Sequence, residues 1–289
     1  MKLSFSRMLT LLVCSSLLVG CGSSTPADTS DTETAGGESN TVTTEPAAET
    51  TPSDPNLLFE DTFDGTELDD DKWELCPEWD RQGGMDVWDD TMTSLDGSGH
   101  LVLRAVWDAD EGRVRSGAVR TNGRFHAGYG YYEASIKFPV APGTWGAFWM
   151  MCGNVAGVDG SAADGVEIDI IESINNEANA CNHALHWDGY GDDHKQAGPG
   201  QFYDKNIYDG QFHTFALERT PEYYVFYIDG KETWRASADV CAPCPEDGYI
   251  KLTVEAAEWA GAGTDASISA LPADMLVDYV RVYREKPQQ

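Results

Sequence analysis

The chain of 289 residues predicts an all-β fold, a sandwich of two antiparallel sheets or a barrel. Three observations carry this reading. Short runs rich in β-branched and aromatic residues recur between turn residues, at 100–107, 113–121, 129–138, 146–152, 165–172, 181–187, 211–218, 222–229, 249–256 and 275–283. Several of these runs alternate: in Tyr131 to Phe138 the odd positions are mostly polar and the even ones mostly apolar, so one face is wet and the other faces a core. Helical periodicity is scarce, and Asp229-Gly230 between two strand-like runs is a hairpin signal.

In chain order, Lys2 and Arg7 precede an apolar stretch, Met8 to Val19, whose length suits the apolar region of a signal peptide better than a membrane span. It ends in Leu18-Val19-Gly20-Cys21, which resembles a bacterial lipobox. That resemblance implies cleavage after residue 20, lipidation of Cys21 and residence on the outer face of a bacterial membrane, with the lipid as the sole membrane contact. Residues 21–55 follow as a tether of Thr, Ser, Ala, Gly, Pro and acid, too poor in large apolar residues to offset its ordering entropy. From Asn56 the composition turns aromatic and aliphatic, and 56–289 is read as one domain, expected to be a monomer.

The formal charge is −30, from 49 acids and 19 bases. Seven acids and no base lie in 22–55, so the domain itself stays strongly acidic. Such a field repels phosphate backbones and excludes nucleic acid; it also disfavours a heavily sulfated glycan unless a local basic patch intervenes. Five cysteines remain beyond the lipobox: Cys76, Cys152, Cys181, Cys241 and Cys244. The Cys241-Ala-Pro-Cys244 spacing is read as a surface disulfide or plain thiols, since no helix pattern follows it and two ligands do not make a zinc site.

The stretch Gly165-Val166-Glu167-Ile168-Asp169-Ile170-Ile171-Glu172-Ser173 is the most informative. Its β-branched residues predict a strand, yet it holds three carboxylates, and burying unpaired charge is costly. Glu167 and Asp169 share a face, whereas Glu172 would point the other way in a regular strand. One extra residue at Ile170 or Ile171 would return Glu172 to the same side and send both isoleucines to the core. Hydrolysis of a glycosidic bond needs two such carboxyls, one attacking and one donating a proton, about 5 to 5.5 Å apart in the retaining mechanism. A third carboxylate between them raises one neighbour's pKa by repulsion and steadies the other by hydrogen bonding. A solvated acidic strand or a calcium site is the alternative reading of the same residues.

At these residues the chain resembles glycoside hydrolase family 16, whose bulged branch carries Glu-x-Asp-x-x-Glu. Gly143-Thr144-Trp145-Gly146-Ala147-Phe148-Trp149-Met150, Gly130-Tyr131-Tyr132-Glu133-Ala134, Asp278-Tyr279-Val280-Arg281-Val282-Tyr283 and Phe63-Asp64-Gly65 through Trp73 resemble further strands of that family. The resemblance implies a concanavalin-like β-jelly roll with a concave cleft. It further implies Glu167 as nucleophile, Glu172 as acid/base, Asp169 tuning both, and His186 near the nucleophile's sugar. Gly146 stands in place of a proline. Ala118 stands in place of an arginine that Arg120, on the same face, would replace. A structural calcium at the Gly99 carbonyl and Asp278 is also implied, with Thr62 where an acid often stands. No cofactor is implied for catalysis. The loop 187–210 departs from the branch's patterns.

Sugar rings stack on aromatic faces, so the tryptophans are candidates for the cleft. Trp145 and Trp149 share parity beside the acids, and Trp259 sits at a turn-like strand end. Trp79, Trp88 and Trp187 read as core, and His183 and His194 as surface histidines. The expected activity is a retaining endo-hydrolase of a neutral β-glucan, β-1,3 or mixed β-1,3/1,4. The alternatives are the same machinery on another polysaccharide such as a galactan, or a lipoprotein that binds glycan without cutting it.

Overall fold

The computed structural model describes residues 54–174, 180–200 and 207–288. The signal peptide 1–20, Cys21 and nearly all of the tether lie outside these residues. Among the described residues two sheets form. The larger has eleven strands. Its main path runs Lys231–Ser237, Tyr223–Ile228, His213–Arg219, Gly130–Lys137, Ala273–Tyr283, Leu101–Asp108, Arg113–Ser116, Asp86–Trp88, Trp79–Arg81. Leu57–Asp61 and Thr93–Leu95 attach to its middle. The second, seven-stranded sheet runs Lys195–Ala197, Ala180–Trp187, Gly165–Ile174, Thr144–Gly153, Gly248–Ala256, Ala118–Arg120, Glu74–Leu75. The sandwich is therefore as predicted, with one departure: Asp86–Trp88 pairs with Arg113–Ser116 in parallel.

Alternation explains the packing. Phe148, Met150, Ile168, Leu185, Ile250, Leu252 and Val254 of the seven-stranded sheet join Tyr132, Ile136, Phe215, Leu217, Phe226, Val280 and Val282 of the other in one buried core. Each such side chain contributes about 1.5–3 kcal/mol through burial. That anchors one face of the seven-stranded sheet and frees the other for polar groups. Asp229 and Gly230 take φ of 50° and 70°, the left-handed pair that a two-residue hairpin needs, and Ile228 pairs with Lys231 across it.

One expectation is corrected, and one left open is decided. The odd face of Tyr131 to Phe138 is not wet. Tyr131 packs with Tyr227 and Tyr283 on the outer side of the sheet, and the Lys286 ammonium lies 3.7 Å from the Tyr227 ring. Of the two readings of Cys241 and Cys244, plain thiols holds: both are buried and unbridged, as are Cys76 and Cys152. The Cys244 loop is held instead by buried Arg219, whose guanidinium donates to the carbonyls of Cys244 (2.6 Å) and Glu246 (2.5 Å).

Candidate active site

Pairing between strands fixes what faces the cleft, because residues directly opposite share a face. Glu167 pairs with Met151 on one side and His186 on the other, and that row continues to Tyr249 and Gln196. The next row reads Glu74, Arg120, Lys251, Trp149, Asp169, Ala184. The third reads Ala118, Thr253, Ala147, Glu172, Asn182. A fourth holds Glu255, Trp145 and Ile174. Successive rows are about 7 Å apart, two residues along a strand.

The step from Asp169 to Glu172 spans three residues on its own strand but one row on both neighbours. Phe148 pairs with Ile171, the next residue Trp149 pairs with Asp169, and Ile170 has no partner in the ladder. Ile170 is the extra residue of a bulge, and Ile168, Ile170 and Ile171 are all fully buried in the core. Glu167, Asp169 and Glu172 consequently line one cleft of about 730 Å³. The bulge has its own support: His183 Nδ1 lies 2.6 Å from the Ile170 carbonyl oxygen and Nε2 lies 2.8 Å from Thr233 Oγ1. Burial drives the His183 pKa down to about 4, so the ring is neutral, donating from Nδ1 and accepting at Nε2. His183 is thus a core residue, against the surface reading.

The acids differ in surroundings. Glu172 accepts from Trp145 Nε1 at 3.0 Å and from Asn182 Nδ2 at 3.4 Å. Burial, and then the Asp169 charge, push its pKa up to about 8, which keeps a proton on it at neutral pH. Asp169 is also raised well above the usual range, first by burial and then by the Glu167 charge, with Lys251 opposing. His186 Nε2 lies 3.3 Å from Asp169 Oδ2, and its Nδ1 lies 3.0 Å from His194 Nε2 on a stacked ring. Tyr190 donates to Glu167 Oε2 at 2.5 Å.

Every residue predicted for the substrate lines the cleft: Trp145, Trp149, His186, Trp259 and Arg120. Trp259, 48 % exposed, meets the Trp145 ring edge to face at 4.8 Å. Trp149 Nε1 donates to Thr253 Oγ1 at 3.2 Å. Arg120 pairs with Glu74 at 2.7 Å. Trp88 and Trp187 are buried, as read from sequence, but Trp79 is 58 % exposed at the cleft's far rim. Several cleft residues had no signal in the motif. Lys251, only 6 % exposed, places its ammonium 3.7 Å from the Trp149 ring and 4.6 Å from Trp88, and burial lowers its pKa to about 8. Glu255 is buried and paired with Arg81 at 3.1 Å. Tyr190 and His194 come from a hairpin loop. The alternation of Ile250-Lys251-Leu252-Thr253-Val254-Glu255 marked a shared face for these two charges, but not that it is the cleft face.

Glu167, Asp169 and His186 offer ligand atoms all within 4.8 Å of one another, a set able to hold a cation. Away from the cleft, Asp278 is the unpaired residue of a bulge in the last strand, just beyond the Val277–Leu101 pair. Gly99 lies just before that Leu101 end, and a Cβ on it would sit 3.3 Å from Asp64 Oδ1.

The family described as "Beta-porphyranase A-D, GH16 domain" matches residues 55–285. A keratan-sulfate endo-1,4-beta-galactosidase of Sphingobacterium multivorum is 31% identical over 80% of this chain and 56% of its own length. A glucan endo-1,3-beta-glucosidase A1 of Niallia circulans is 25% identical over 82% of this chain and 39% of its own. The chain thus spans about half or less of these two relatives. The crystal structure of laminarinase from Flavobacterium sp. UMI-01 superposes with a TM-score of 0.64 at 26% identity, covering 78% of this chain and 99% of that one.

Proposed function

The chain belongs to glycoside hydrolase family 16, and from that premise we propose that it is a retaining endo-hydrolase in which Glu167 attacks the sugar and Glu172 serves as acid and then base. The observation that carries this reading is the Ile170 bulge, which aligns the three acids along one cleft. In the first step Glu172 gives its proton to the glycosidic oxygen as that bond breaks, and a Glu167 oxygen bonds the anomeric carbon. In the second, water attacks that carbon, Glu172 takes the water's proton, and Glu167 departs as carboxylate. The high Glu172 pKa supports the first role, and Asp169 supplies part of the repulsion that keeps it high. The two-carboxylate chemistry calls for no cofactor.

For substrate we propose a β-1,3 or mixed β-1,3/1,4 glucan. Four tryptophans along the cleft, Trp79, Trp145, Trp149 and Trp259, offer ring faces or edges to a sugar chain. A galactan is the second reading. It is favoured by the galactosidase relative, and one flank of the cleft brings Arg81, Arg120 and Lys251 within reach of a glycan, the two arginines being paired with Glu255 and Glu74. We further propose a lipid at Cys21 on the outer face of a bacterial membrane, a monomeric enzyme, and a structural calcium at Gly99 and Asp278.

Reducing-end release from laminarin, lichenan, agarose and keratan sulfate, with Glu167→Gln as control, tests the activity. Release from one glycan that the substitution abolishes supports the mechanism and chooses the substrate. Retained binding without release from any would instead make the chain a glycan-capturing protein.

A further inference from the structure

The loop between Trp187 and Lys195 is built to reach the acids from outside their strand. Trp187 and Lys195 close it as a pair on the sheet edge. Asp188 and Gly189, at φ 58° and 72°, turn the chain sharply at its start. Asp188 is buried and accepts from the backbone N–H groups of Asp159 (3.1 Å) and Gly160 (3.0 Å) and from Lys195 Nζ (2.5 Å). Gly189 N–H donates to the Val155 carbonyl at 2.8 Å. So anchored, the loop delivers Tyr190 to Glu167 Oε2 and His194 to His186. Among the described residues Glu167 Oε1 accepts no hydrogen bond, so the two oxygens of one carboxylate are made unequal.

We propose that Tyr190 is a positioning residue of the reaction: its hydroxyl holds one oxygen of Glu167, leaves the other free to attack, and stabilises the carboxylate as it departs in the second step. This rests on the role of Glu167 proposed above. In the first step the new bond joins Glu167 Oε1 to the anomeric carbon, the bond to the leaving oxygen breaks, and the Glu172 proton goes to that oxygen. In the second step the Glu167–carbon bond breaks with its electron pair returning to the carboxylate, water supplies the new oxygen, and its proton goes to Glu172. Negative charge returns to Glu167 only in the second step, and there the phenol's hydrogen bond strengthens.

Tyr190→Phe keeps the ring and removes the hydroxyl. The second step is expected to slow about tenfold to a hundredfold, the loss of one charge-assisted hydrogen bond. Because the first step changes less, kcat and KM fall together and glycosyl-enzyme accumulates in a burst; a merely structural role would not lower KM. Tyr190→Ala also removes the ring, and KM rises if the ring walls a sugar site. An unchanged kcat in Tyr190→Phe, or a kcat/KM loss without the fall in KM, overturns the proposal. A second arm needs no substrate: the carboxyl resonance of Glu167 in protein labelled with 13C-glutamate, identified by its loss in Glu167→Gln, should move in Tyr190→Phe. If that resonance stays in place the proposal fails. If wild type is inert on every glycan while the resonance moves, it is the assigned reaction that fails, not the contact.

Discussion

Lowering the pH from 7 to 4.5 should destabilise the chain through His183 in particular. The ring is fully buried, and its pKa falls from an ordinary 6.5 to about 4. Because the folded value lies below the unfolded one, the unfolded chain takes up the proton first. The contribution to stability is therefore complete above about pH 6.5 and is lost as pH falls through 4. At 1.36 kcal/mol per pH unit the full loss is about 3 kcal/mol, and most of it has occurred by pH 4.5. His183→Asn keeps an N–H near the Ile170 carbonyl but has nothing to titrate. It also forfeits the ring contact with Phe226 at 4.9 Å, so it starts less stable at pH 7. Urea unfolding of both proteins at pH 7 and 4.5 isolates the effect. Acids with raised pKa, such as Asp86 at about 8, respond in the opposite sense but equally in both proteins. Wild type should lose about 2–3 kcal/mol more than the variant between the two pH values. Equal losses would refute the reasoning that His183 is held neutral to pin the bulge.

Three further outcomes follow from the geometry. The kcat/KM profile should lose its alkaline side near pH 8 as Glu172 gives up its proton, and Asp169→Asn should move that limb downward by removing a neighbouring negative charge; an upward shift contradicts the assigned repulsion. Gly146→Ala should cost about 1–3 kcal/mol in urea unfolding, since its Cβ would lie 2.8 Å from Phe138 Cδ1 and 3.1 Å from Met275 Sδ in the closed core; a neutral result means that Phe138 yields. Excess EDTA should lower Tm and added calcium restore it, by up to about 3 kcal/mol at a hundredfold excess over Kd, and a Tm indifferent to both removes calcium from Gly99 and Asp278.

The parity of the acids was readable because a strand's period of two is strict: Ile170-Ile171 breaks it, and only an added residue restores three acids to one face. The Asp229-Gly230 pair marked its hairpin by turn chemistry, and parity again put Trp145 and Trp149 on one face. It could not say whether a face is covered. Tyr131 and Lys251 each alternate like solvated positions, yet the first lies under neighbouring tyrosines and the second between two indoles. His183 was misread for a related reason. Its partner, the Ile170 carbonyl, is turned toward it by the bulge, thirteen residues earlier and on another strand. Tyr190 and His194 sit in a loop, where spacing carries no orientation at all. Gly146 stands in place of a proline, and the structure shows what that change brings: its N–H donates to Ser173 Oγ at 3.0 Å and its missing side chain makes room for Phe138, so proline would fit neither.

The bulge at Ile170 also shows what such a site could lose and remain aligned. Its content is a count, not an identity. Replacing Ile170 with valine or leucine would leave every acid where it is, and deleting it would still leave Ile171 toward the core and Glu172 toward the cleft, because Asp169 and Glu172 would then stand two residues apart on a regular strand, as their partners on both neighbouring strands already do. Every residue C-terminal to it on the strand keeps its face with or without the extra residue, so what the bulge adds is the local bend and the turned Ile170 carbonyl that His183 meets.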